Sequence, residues 1–160
     1  MKSEGEAKIA IEKYADTVRR ICFIHLKSQS DVEDVFQEVF LKFLLYPQPF
    51  QNEAHEKAWL IRVAINQCKD ILKSFFRRNV VLTEDLNYGA NNIQEDSRVV
   101  LNAVLSLPEK YRDVVYLYYY EGYQAKEIAK ILNRGENTIY TWLSRAKSKL
   151  RASLGGELFD

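Results

Sequence analysis

From Val32 to Phe43 the apolar residues Val32, Val35, Phe36, Val39, Phe40 and Phe43 recur at three- and four-residue intervals. That spacing gathers them on one side of an α-helix and would scatter them over both faces of a strand. The same rhythm returns at Ile61, Ala64, Ile65, Cys68, Leu72 and Phe75, and again at Ile139, Leu143, Ala146 and Leu150. Only three prolines and six glycines punctuate 160 residues, too few for a many-turned β fold. The expected class is all-α. No apolar run approaches the roughly 18 residues that would cross a bilayer, and the start MKSEGEAKIAIEKYAD lacks the unbroken apolar region of a signal peptide. A cytoplasmic protein without direct membrane insertion is expected.

The net charge of +1 is unevenly spread. Residues 1–82 carry 13 Lys/Arg against 11 Asp/Glu, residues 83–99 carry 1 against 4, and residues 100–160 carry 9 against 7. The acidic middle stretch, TEDLNYGANNIQEDSRV, is rich in Asn, Asp, Glu and Ser and holds Gly89, a linker composition. Two small helical domains, 1–82 and 100–160, are therefore expected on either side of a flexible linker at 83–99.

In the first block a moderately periodic helix over 4–27 has Ile9, Val18, Ile21, Cys22 and Leu26 as its apolar positions. Ser30-Asp31-Val32-Glu33 fits a capping box, predicting a second helix that ends before Pro47 and Pro49. Asp31, Asp34 and Glu38 share another face of it, either a solvated surface or a docking face for a basic partner. A third helix is predicted from about Glu56 to Arg78, with Arg62, Asn66, Lys69, Lys73 and Arg77 opposite its apolar side. Six basic residues and one acid between Lys57 and Arg78 suit a nucleic-acid backbone or a plain solvated face, and Phe50 and Trp59 add rings on which unpaired bases stack.

In the second block Pro108 opens a helix and Gly122 closes it, with Val114, Val115, Leu117 and Tyr118 expected inside. The five tyrosines between 116 and 123 are expected to pack their rings in the core. Ala125–Leu132 and Asn137–Arg151 read as two helices joined by Asn133-Arg134-Gly135-Glu136, a helix-turn-helix spacing. Asn137, Thr138, Thr141, Trp142, Arg145 and Lys149 remain on the exposed side of the second, whose surroundings hold five basic residues and one acid from Arg134 to Arg151. Such a face fits a major groove.

Three stretches in this order, SDVEDVFQEVFLKFL, WLIRVAINQCKDILK and LPEKYRDVVYLYYYEGYQAKEIAKILNRGENTIYTWLSRAKSKLR, resemble the two-domain extracytoplasmic-function (ECF) sigma factors of bacterial RNA polymerase over nearly the whole chain. The resemblance implies that Asp31, Asp34, Gln37 and Glu38 grip a coiled coil of core RNA polymerase. It implies that Phe50, Gln51, Asn52 and His55 lie in a loop capturing a base flipped from the minus-ten promoter element, beside Trp59. Arg62, Asn66, Lys69 and Lys73 would track the separated strand. Arg134, Asn137, Thr138, Thr141, Trp142, Arg145 and Lys149 would meet the minus-thirty-five element of promoter DNA. An anti-sigma factor, which would hold the protein at the membrane, is the further partner it implies, and no appended regulatory domain is expected after Asp160.

Some residues depart from the family pattern. Tyr140 and Trp142 stand where relatives often carry Arg or Lys, which points Trp142 toward thymine methyls or the sugar backbone and leaves Arg145 to read a guanine edge. Gln124 replaces the Ser or Thr cap. The rival readings are a stand-alone helix-turn-helix repressor or activator, an enzyme, and a polymerase-binding adaptor. An enzyme finds little support: there is no Gly-rich phosphate loop, no His-Glu-x-x-His, and only two histidines, so no catalytic residue, cofactor or small-molecule substrate is assigned. Cys22-x-x-His25 supplies at most half a zinc site, so no metal is expected either.

Overall fold

The computed structural model describes residues 1–77 and 95–154. They form α1 (Glu4–His25), α2 (Gln29–Leu45), α3 (Glu53–Arg77), α4 (Glu95–Leu105), α5 (Glu109–Val115), α6 (Ala125–Leu132) and α7 (Glu136–Leu154), with a π-helical turn over Tyr116–Tyr120 continuing α5. The described residues contain no strand, and the fold is all-α. The chain divides into two compact units, Met1–Tyr88 and Gly89–Asp160. Of the stretch expected as linker, 83–94 lies outside the described residues, while 95–99 already belongs to α4.

In the first unit α1, α2 and α3 each pack on the other two. Ser3 caps α1: its Oγ accepts the Glu6 N–H at 3.1 Å while the Glu6 carboxylate accepts the Ser3 N–H at 3.4 Å. The cap of α2 is Ser28 and not Ser30, because Ser28 Oγ accepts the Asp31 N–H at 3.4 Å and Ser30 already lies in the first turn. Starting at Gln29 lengthens the hydrogen-bonded helix without loss of a cap. Val18, Ile21, Val32, Val35, Val39, Leu60, Ile61 and Ala64 close the core. Burying each branched aliphatic side chain stabilises the fold by about 1.5–3 kcal/mol. Ile9 does not join them and is 63% exposed, since Ala10, Tyr14 and Val18 take the buried face of α1. The Tyr14 hydroxyl then donates to Glu56 at 2.8 Å, tying α1 to α3.

In the second unit α7 packs on α4, α5 and α6. Ala103, Leu107, Tyr111, Val115, Ala146 and Leu150 form a buried cluster, with Trp142 packed against its edge. The tyrosine run departs from expectation. Tyr116 is buried, but Tyr118, Tyr119 and Tyr120 are 44%, 47% and 60% exposed. The cause is the π-helical turn, closed by the Glu121 N–H on Tyr116 O at 3.1 Å, which widens the helix and carries these three rings off the buried face. Gly122, with φ of 79°, ends it as the sequence suggested.

Candidate nucleic-acid and docking surfaces

The turn between α6 and α7 sets the direction of the exposed face of α7, and its key residue is Asn133. With φ of 55° it takes the left-handed conformation that ends α6, while the Arg134 N–H returns to Ala129 O at 2.9 Å and the Asn133 N–H to Lys130 O at 3.4 Å. This is the paired closure of a Schellman turn, with Asn supplying the local hydrogen-bonding freedom that lets a side-chain-bearing residue sit there. Gly135 is not at a positive φ, and a Cβ on it would meet nothing nearer than Thr138 Oγ1 at 3.8 Å. The start of α6 lacks a Ser or Thr, and the Glu127 carboxylate accepts the Gln124 N–H at 3.0 Å instead.

Along α7, Ile139, Ala146 and Leu150 are buried and Asn137, Thr141, Arg145 and Lys149 are exposed, with Thr138 half-buried; Arg134, in the turn before it, is exposed as well. The Thr141 hydroxyl donates to Asn137 O at 3.0 Å, so it reaches outward as an acceptor only. Trp142 differs from its expected place on the exposed face. It is half-buried against the core cluster, with the Lys110 ammonium 5.4 Å and the Arg134 guanidinium 5.9 Å from its ring centre. The ring is a platform that holds two cations beside the exposed face of α7. Lys110 has no sequence signal for this role, because the contact joins separate helices.

In the first unit the loop 46–52 and the start of α3 bring rings together. Phe50 lies 6.0 Å from Phe43, 5.3 Å from Tyr46, 5.3 Å from His55 and 5.7 Å from Trp59, centre to centre. Tyr46 and Trp59 are 4.9 Å apart. Asn52 caps α3 by accepting the His55 N–H on Oδ1 at 2.8 Å, and His55 Nδ1 accepts the Gln51 N–H at 3.1 Å. In the neutral imidazole these bonds leave the Asn52 amide and the His55 Nε2–H as donors for a ligand. Sequence reasoning missed Phe43, Tyr46 and Lys2. The Lys2 ammonium stands 4.8, 5.6 and 5.5 Å from the ring centres of Phe43, Tyr46 and Phe50, and it donates to Tyr46 O at 2.7 Å.

Arg62, Asn66 and Lys73 line an exposed face of α3, with Lys69 half-buried among them. On α2, Asp34 and Gln37 are exposed and Asp31 and Glu38 half-buried, a contiguous acidic stripe. Glu33 stands apart from it, paired with Arg19 at 3.8 Å, and that guanidinium also covers the Phe36 ring at 4.1 Å. Among the described residues no cluster of three or more His, Cys, Asp and Glu side chains is arranged to hold a metal.

Comparison with known proteins agrees with this two-part arrangement. Residues 10–79 match the family Sigma-70 region 2, and residues 97–150 match Sigma-70, region 4. The chain is 26% identical over 161 residues to the ECF RNA polymerase sigma factor SigW of Bacillus subtilis (strain 168), covering 90% of this chain and 86% of the relative. Its fold is similar to that of the sigma factor RpoE from Bartonella quintana, solved in complex with the anti-sigma factor NepR, with a TM-score of 0.80 and 20% identity over 94% of this chain and 97% of that one. It is also similar to CnrH in complex with the cytosolic domain of CnrY, with a TM-score of 0.66 and 18% identity over 97% and 91% of the two chains. With both sigma modules present in order and the relatives matched over most of their length, the chain belongs to the extracytoplasmic-function group of the sigma-70 family of RNA polymerase sigma factors.

Proposed function

We propose that this sigma factor divides promoter recognition between its two units. The first, with 1–82 as its boundaries, docks on core RNA polymerase through Asp31, Asp34, Gln37 and Glu38. It then holds the opened minus-ten strand along Phe50, Asn52, His55, Trp59, Arg62, Asn66, Lys69 and Lys73. The second, 100–160, reads the minus-thirty-five element with Asn137, Thr138, Thr141 and Arg145, while Arg134, Lys149 and the Trp142 platform serve the backbone. The polymerase supplies the chemistry of RNA synthesis. This chain supplies position, and a bound polymerase sets the distance between the two reading surfaces, so that two modest sites act together through effective concentration.

The observation that carries this reading is the junction at 50–59. There half-buried rings stand beside two outward hydrogen-bond donors, at the head of a helix whose exposed face is cationic. A base stacked and hydrogen-bonded there offsets the few kcal/mol lost in unpairing it. An anti-sigma protein as regulator belongs to the same reading, supported by the two structural neighbours, each solved with its own partner protein. So does a site of action in the cytoplasm; no helix among the described residues is long and apolar enough to cross a membrane.

The test is transcription from a promoter library by purified bacterial core polymerase, with and without this chain. Initiation at a defined set of sequences that requires the chain is expected. A core complex that starts no RNA anywhere, or no complex at all, would overturn the proposal. A stand-alone helix-turn-helix repressor is disfavoured, because residues 10–79 match a sigma module and not a ligand-sensing domain.

A further inference from the structure

Lys2 lies far in sequence from the loop at 46–52 and yet is fastened to it. Its backbone N–H donates to Leu44 O at 3.0 Å, its ammonium donates to Tyr46 O at 2.7 Å, and Ser3 beside it is locked as the cap of α1. The segment is thus held at both its main chain and its side chain. Over the rings of Phe43, Tyr46 and Phe50 the ammonium has exchanged part of its water for aromatic faces. One of its three N–H donors is spent on Tyr46 O, leaving two. Neither the Lys13–Glu53 nor the Arg19–Glu33 ion pair involves it. A fixed, partly desolvated cation with two remaining donors, set against rings that stack bases, is suited to an anion that arrives with a base.

We propose that Lys2 is a strand-holding residue whose ammonium binds the backbone phosphate of the nucleotide captured at Phe50 and Trp59. The inference rests on the reading of 50–59 as a base-capturing loop. The ligand class is single-stranded DNA, recognised through one phosphate and one stacked base. The contact adds no base preference of its own, since a phosphate carries none. It fixes the register of the strand on the rings. Lys2 also satisfies carbonyls at the end of α2, and that structural role is separated from the proposed one by salt dependence.

The experiment uses holoenzyme reconstituted from core polymerase with the wild-type chain, Lys2→Gln, Lys2→Arg or Phe50→Leu. Each is titrated with a short fluorescein-labelled single-stranded DNA of mixed sequence at increasing salt. Loss of one phosphate contact lowers the log–log salt slope by about 0.7, so a fourfold rise in salt weakens Lys2→Gln roughly 2.6-fold less than the wild type. Lys2→Arg keeps the wild-type slope. A Lys2→Gln slope equal to wild type, with or without a lower melting temperature, leaves Lys2 a helix cap only and overturns the proposal, as does tighter binding by Lys2→Gln. Phe50→Leu keeps an apolar side chain but removes the stacking face. If it weakens strand binding while Lys2→Gln does not alter the slope, only the Lys2 inference fails. If it leaves strand binding unchanged, the loop reading fails and the role of Lys2 falls with it.

Discussion

Replacing Trp142 by alanine separates a ring that reads DNA from a ring that builds the surface around it. Truncating a fully buried Trp costs about 3–5 kcal/mol. Trp142 is half-buried against the cluster of Leu107, Tyr111, Ala146 and Leu150, so about half of that applies. The two cations over its ring, Lys110 and Arg134, are themselves exposed and add about 0.5–1 kcal/mol each. The total is about 3 kcal/mol, or roughly 15 °C in the melting of a domain of this size. Circular dichroism measures the loss. The chain has two tryptophans, so in Trp142→Ala the fluorescence of Trp59 alone reports the first unit and should melt as before. Affinity for the upstream element should fall to a similar extent on every sequence, because the cations lose their seat and no base contact is removed. A variant that melts like wild type but changes its preference at one base pair would return Trp142 to the role of base reader and refute the platform.

Reversing two charges, Asp34→Arg with Glu38→Arg, should abolish association with core polymerase while leaving the helical circular dichroism intact, since Asp34 is exposed and Glu38 only half-buried; a pull-down with unchanged association would remove the docking stripe. Arg145→Ala should cost about 1–3 kcal/mol and relax preference at one upstream base pair in a binding-site selection, whereas an equal loss on all sequences would make Arg145 a phosphate contact. Partial desolvation holds the Tyr119 and Tyr123 hydroxyls above the ordinary phenolic value of 10.0, at the half-exposed Tyr119 with help from Tyr118 and against Arg151, and at Tyr123 with help from Glu121 and Glu127. The folded state therefore keeps these protons more tightly than the unfolded chain. Their contribution to stability is complete below about pH 10 and is lost as pH rises through the folded values, which urea denaturation across that range would record.

Much of the helical framework was legible because it depends on neighbours in sequence. The three- and four-residue rhythm located α2, α3 and α7, and α6 runs over the residues its pattern marked, Ala125–Leu132. Features decided by choice between near-equal local options were harder. Ser28 and Ser30 both stand three residues before an acid, and only the packed helix selects one. The start of α4 is polar, Glu-Asp-Ser-Arg, which composition alone cannot tell from linker. A run of tyrosines has no phase from which a buried face could be read. Contacts between distant segments left no trace: nothing local marks Lys2 as a neighbour of Phe50, or Lys110 as a neighbour of Trp142. The candidate surfaces were thus readable as stripes on single helices, while the side chains that brace them belong to tertiary packing.

The wide turn at Tyr116–Tyr120 holds about one residue more than an ordinary helical turn. Removing one of Tyr118, Tyr119 or Tyr120 would let α5 run on in regular geometry and deliver the chain to Gly122 without emptying any place in the core. The loop of slack is therefore an adjustable joint. At this point the chain upstream of the α6–α7 hairpin can be shortened by a single amino acid without changing how that hairpin is built.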